Sequence, residues 1–168
     1  MPLTKIQSLG ITDGAIVAAD IASGAITAAK LASGVGGKVL QYVTSTNTAQ
    51  QSTTSTSYVD ATDLSVSITP SSASNKILIL FTGTLQNAGD TANSFLTILR
   101  GATNLATTND YFILNSAGTR IIAGSSAHYI DSPNTTSSTT YKIQIRVEGG
   151  STGTIFMHSR ITVLEIAG

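Results

Sequence analysis

The sequence has no cysteine and no tryptophan, three prolines, and aromatic side chains at only 5% of its 168 positions. Without thiols, neither disulfides nor thiolate metal sites can hold the fold, so stability must come from apolar burial and hydrogen bonding. Charge is also scarce: charged residues make up 11%, nine basic against nine acidic, and the formal charge is zero. A neutral surface offers phosphates little attraction, which argues against nucleic acid as a partner and against a polybasic membrane contact. No apolar run approaches the roughly 20 residues of a membrane span, so no membrane insertion is expected. The opening MPLTKIQSLG lacks the basic-then-apolar design of a secretory signal. The chain is therefore expected to be made and folded in a cytoplasm.

What is present divides into two parts. Hydrophobic residues reach 41% and mean hydropathy is +0.22, enough for a core. Ser, Thr, Asn and Gly supply most of the polar surface. The first part, residues 1–37, holds ITDGAIVAADIASGAITAAKLASG at 11–34. Ile6, Ile11, Ile16, Ile21, Ile26 and Leu31 are spaced by five, and Gly14, Gly24 and Gly34 by ten. Five fits neither the helical nor the strand period. The ten-residue unit is clearest when VAADIASGAI (17–26) is set over TAAKLASGVG (27–36). Each copy reads as one or two helical turns ended by a left-handed Gly, with Thr27 as N-cap of the second. Helices so short are unstable alone. Ile11, Ile16, Ile21, Ile26 and Leu31 are therefore read as anchor or oligomer contacts, covered by other copies or by a host surface, rather than as a loose Ala/Gly linker.

From residue 38 to 168, β-branched and aromatic residues dominate. Strands are expected at 39–45, 64–69, 76–83, 94–100, 120–123, 127–131, 140–148, 154–158 and 161–166, separated by polar clusters such as TPSSASN and EGGSTG. The fold class is all-β, a β-sandwich or jelly-roll-like domain behind a short repeat segment with brief helical turns. Leu64, Val66 and Ile68 alternate with polar neighbours, as do Tyr141, Ile143, Ile145 and Val147. ILILF (77–81), FLTIL (95–99) and ITVLEI (161–166) are apolar on both faces, so something must cover the outer one. The cover expected is another copy of the chain, with Leu78, Leu80, Leu96 and Ile98 on the intersubunit face. A closed threefold ring suits this; a dimer, or an N-terminal strand of the same subunit, is an alternative.

Catalytic signatures are missing. His128 and His158 read as strand residues at a rim or subunit contact. No Gly-x-Ser-x-Gly elbow accompanies the many serines, and Asp60, Asp63 and Asp131 read as turn formers. Glu148 lacks an acidic partner, and Glu165 is expected to face Lys or Arg. No spacing suits zinc, calcium or a nucleotide phosphate, so no cofactor and no metal are expected. One loop, TNDYFILN (108–115), sets Tyr111 and Phe112 beside Asn109, an arrangement able to stack on a sugar ring. The alternative is that Tyr111 and Phe112 belong to a strand or an oligomer core.

The repeat in DGAI…ADIASGAIT…AKLASG resembles those of tail and head fibres of tailed bacteriophages. STTSTSYVDATDLSVSITPSSASNKILILFTG (52–83), YIDSPNTTSSTTYKIQIRV (129–147) and SRITVLEIAG (159–168) resemble the C-terminal β module of phage fibre and virion-surface proteins. The resemblance implies a structural virion protein, assembled in the host cytoplasm. It would be a homotrimeric short fibre or appendage that joins other virion proteins through its N-terminal segment and contacts host glycan through its β domain. A capsid decoration protein and a lectin-like carbohydrate-binding module are the alternatives.

Overall fold

The computed structural model describes residues 16–27, 30, 38–89, 93–106, 112–115 and 120–168, with 112–115 as backbone only. The chain divides into two compact units, Met1–Lys38 and Val39–Gly168.

The second unit is a sandwich of two antiparallel sheets. Its strands are β1 (Val39–Thr46), β2 (Gln51–Thr53), β3 (Val59–Ile68), β4 (Lys76–Gly89), β5 (Asn93–Arg100), β6 (Thr103–Asn104), β7 (Phe112–Asn115), β8 (Ile121–Asp131), β9 (Thr139–Val147), β10 (Ser151–Ile155) and β11 (Arg160–Ile166). One sheet is built on β4. It pairs with β8 along one edge, and with β11 and then β10 along the other; β1 lies beyond β11 and β2 beyond β10. The second sheet runs β3, β9, β5, with β6 and β7 successive on the far edge of β5.

The expected strands at 120–123 and 127–131 are one strand, β8, which keeps a constant register with β4 from Ile77 opposite Asp131 to Asn87 opposite Ile121. Gly124 within it keeps its place opposite Thr84, so it does not break the strand. The short strands β2, β6 and β7 carry too few residues to show a period.

Alternation places the core. Ile77, Ile79 and Phe81 of β4, Ile161 and Val163 of β11, Leu64, Val66 and Ile68 of β3, and Tyr141, Ile143 and Ile145 of β9 all face inward and are buried. Leu96 and Ile98 belong with them. Leu96 lies opposite Ile145 and Ile98 opposite Ile143, and directly opposed residues share a face. Both are 0% exposed. Their expected place on an intersubunit face is therefore corrected: they fill the sandwich of a single chain. The other side of β5 is covered within the chain too, where the Arg146 guanidinium lies over the Phe95 ring at 3.8 Å from its centroid.

β1 and β2, and likewise β10 and β11, each form one strand interrupted by four residues. Thr46 faces Arg160 and Gln51 faces Ile155, so the pairing resumes without slippage. Against β4, however, the four residues between Ile155 and Arg160 face only the two between Leu85 and Thr82. Buried Asn47 bridges the break. Its amide N–H donates to the Ser159 carbonyl and its carbonyl accepts from the His158 N–H, each at 3.0 Å; its Nδ2 donates to the Phe156 carbonyl at 3.0 Å. His158, expected in a strand, takes φ +68° here. Gly83 opposes this bulge: a Cβ there would run into Ser159 Oγ and Cβ and the Phe81 ring, so any larger residue forces these side chains to shift.

In the first unit, Ala18–Asp20 forms one 3₁₀ turn. Asp20 closes it by accepting a hydrogen bond from the Val17 N–H at 3.0 Å. Gly24, at φ +78°, lies in a separate turn closed by the Ala25 N–H on the Ala22 carbonyl at 2.9 Å, rather than capping the helical turn.

Candidate functional site: an apolar sheet face

The outer face of the β4 sheet carries the feature least expected of a solitary domain. Tyr42 of β1 stands opposite Leu164 of β11, Leu164 opposite Leu78 of β4, and Leu78 opposite Ile130 of β8. Inward neighbours at alternate positions leave these four side chains outward. They form an unbroken apolar row across four strands, about 14 Å long at the usual strand spacing. Its ends are open, with Tyr42 59% and Ile130 63% exposed; Leu78 and Leu164 between them are half-buried. Leu40 and Ile166 extend the patch on one side and Leu80 on the other. The row beyond is mixed: Thr44, Thr162, Leu80 and His128. The one after it is polar, with Thr46, Arg160, Thr82 and Ser126. No acidic side chain stands among these outward positions of β1, β4, β8 and β11.

Of the four residues expected on an intersubunit face, Leu78 and Leu80 thus stand outward and Leu96 and Ile98 inward. Tyr42, Ile130 and Leu164 are not singled out by the sequence, because β1, β8 and β11 carry apolar residues at both parities and the pattern alone does not say which of them face outward. The opposite sheet presents a different surface: Lys142, Gln144 and Asp60, with Lys142 Nζ 2.8 Å from Asp60. The Lys142 and Gln144 hydrogen bonds hold the Asp60 carboxyl below the ordinary aspartate range.

Three further expectations concern acids. Asp131 is not a turn residue but the buried end of β8. It accepts from Arg100 Nη1 at 2.9 Å and from the Tyr141 hydroxyl at 2.7 Å, tying one sheet to the other. Burial, with the Asp131 charge beside it, pushes the Tyr141 phenol far above its ordinary value. Glu165 faces neither Lys nor Arg. It is 0% exposed and accepts from Asn75 Nδ2 at 2.6 Å, from the Ser71 N–H and hydroxyl at 2.6 and 2.8 Å, and from Gln41 Nε2 at 2.6 Å. Burial opposes its ionisation, yet these donors together hold the carboxyl below the ordinary glutamate range. Asp63 sits at φ +62° in a bulge of β3, where its Oδ2 accepts from Thr48 Oγ1 at 3.0 Å. Each acid is thus engaged by donors that position the chain. Among the described residues, no three of His, Asp and Glu cluster as a metal site would require. No helix among the described residues is long and apolar enough to cross a membrane.

In the repeat unit, Ile16, Ile21 and Ile26 are between 42 and 55% exposed. Ile11 and Leu31 lie outside the described residues, as do Asn109 and Tyr111 of the expected sugar-binding loop. Phe112 opens β7, its backbone opposite Leu96.

No protein-family model and no curated protein matches the sequence. Solved structures do match. The chain is similar to Eiger TNF from S. frugiperda, with TM-score 0.43 and 8% identity over 77% of this chain and 94% of that one. It is also similar to a protein of the infectious bursal disease virus Gx strain, with TM-score 0.31 and 14% identity over 76% of this chain. A point-mutant VP2 protein of the same virus, from derived T=1 particles, gives 0.33 and 13% over 75%. The chain spans 38% and 36% of those two viral chains.

Proposed function

We propose that the protein is a structural component of a tailed-phage virion, a short homotrimeric fibre or surface appendage. Its N-terminal repeat joins it to other virion proteins, and its β-sandwich projects outward to contact host glycan. Its work is assembly and adhesion rather than catalysis. The observation that carries this reading is the repeat. It places Ile16, Ile21 and Ile26 at five-residue intervals on short turns that leave all three exposed, in a unit separate from the sandwich. Such turns cannot bury their own aliphatic residues and need an external cover. Contact with glycan would be weak at each site and strengthened by the number of copies on one particle.

Deleting residues 1–36 tests the reading. The expected outcome is a folded β domain that no longer incorporates into particles, measured by immunoblot of purified virions. Normal incorporation of the truncated chain would refute the anchoring role.

A further inference from the structure

We infer that the outer face of the β4 sheet, centred on Tyr42, Leu164, Leu78 and Ile130, is where a second copy of this chain packs. This rests on the self-assembling part of the reading above and names the surface responsible. The first argument is area. Leu40, Tyr42 and Ile130 are exposed, and Leu78, Leu80, Leu164 and Ile166 are half-buried beside them. At several tens of Å² to about 100 Å² apiece they offer on the order of 400–500 Å² of apolar surface. One side of a standard interface buries about 800 Å², of which about 60% is apolar, so the patch supplies roughly what one partner must contribute.

The second argument is charge. The apolar row has no ionisable group other than the Tyr42 phenol, and the outward positions around it hold no acid to attract a basic partner. His128 stands in the adjoining row, opposite Leu80, and the lysine and arginine at the margins are engaged: Lys76 Nζ donates to Ser132 Oγ at 2.8 Å and Arg160 Nε to Thr46 Oγ1 at 3.0 Å. With a formal charge of zero, two copies approach without net repulsion. An apolar centre with nothing to neutralise is complemented by another of its kind, and that other is made wherever the chain is made. The outer face of the opposite sheet, with Lys142, Gln144 and Asp60 hydrogen-bonded among themselves, offers no such centre.

The test is solution mass by multi-angle light scattering at micromolar concentration, with circular dichroism to confirm folding. The full-length chain is expected at a multiple of 17.2 kDa. Ile130→Asp and Leu78→Asp are expected to weaken association at least about tenfold while retaining the β spectrum. Ser65→Asp, on the exposed side of β3, is expected to leave the mass unchanged. Should Leu78→Asp fail to fold, Ile130→Asp carries the test, because its side chain already stands largely in water. A native chain that is itself monomeric would overturn both the inference and the homotrimer. An oligomeric native chain whose folded Ile130→Asp variant keeps the same mass would overturn the inference alone and leave self-assembly to another surface.

Discussion

Glu165 is an ionised group in a dry place, and its four donors come from two separate stretches of chain: Gln41 in β1, and Ser71 and Asn75 in the connection between β3 and β4. Its folded-state carboxyl is depressed relative to the unfolded chain. The stability it contributes is therefore complete above the ordinary glutamate value of about 4.3 and is lost as pH falls through the lower folded value. Thermal unfolding followed against pH should show the melting temperature falling over that acidic window. Glu165→Gln should flatten the slope and cost about 1–3 kcal/mol at neutral pH, because the amide brings a donor where only donors wait. Tyr141 holds the second clasp. Tyr141→Phe removes one of the two side-chain donors on buried Asp131 and should cost about 1–3 kcal/mol in urea unfolding, leaving the Arg100 pair in place.

At the scale of elements, strand and side are different questions, and the sequence answers them unequally. In TTYKIQIRV the polar residues alternate with apolar ones, so both the strand and its inward face can be read directly. FLTIL can be read as a strand but not as a side, because all but one of its residues are apolar. What settles it is register: Leu96 and Ile98 face Ile145 and Ile143, and no local pattern encodes that pairing. The acids were misjudged for a related reason. Asp131 followed by Ser-Pro has the local chemistry of a turn, and its buried bonds to Arg100 and Tyr141 come from β5 and β9. A pair of substitutions separates the two sides. Ile98→Asp should abolish folding by leaving a buried unpaired charge, a loss of more than about 4 kcal/mol, visible as an absent β spectrum. Ile130→Asp should leave the spectrum intact. Gly83→Ala, with Ser159 Oγ and Cβ in the way, should cost about 1–3 kcal/mol in the same urea measurement.

At the scale of the whole molecule, neutrality decides how copies meet. An association built on uncharged aliphatic and aromatic side chains has little electrostatics for salt to screen, and excluded anions such as sulfate strengthen it. Light scattering should therefore show no dissociation as sodium chloride is raised, and a tighter oligomer in ammonium sulfate. Because a copy that packs against the face binds only the folded chain, the melting temperature should rise with protein concentration. Deletion of 1–36 should leave this dependence in place if the β4 sheet alone makes the contact.

The interruption bridged by Asn47 gives the β4 sheet a crease. On one side lie β1, β11 and the first half of β4, bearing most of the greasy patch; on the other lie β2, β10 and the second half of β4, backed by buried Asn87, Ser151 and Thr154. The two panels share β4 and β8, whose pairing runs unbroken across the crease, so the interruption separates only the outer strands, β1 and β11 from β2 and β10. Amide hydrogen exchange should resolve them as two steps, the β2–β10 panel opening first and the patch-bearing panel holding longest.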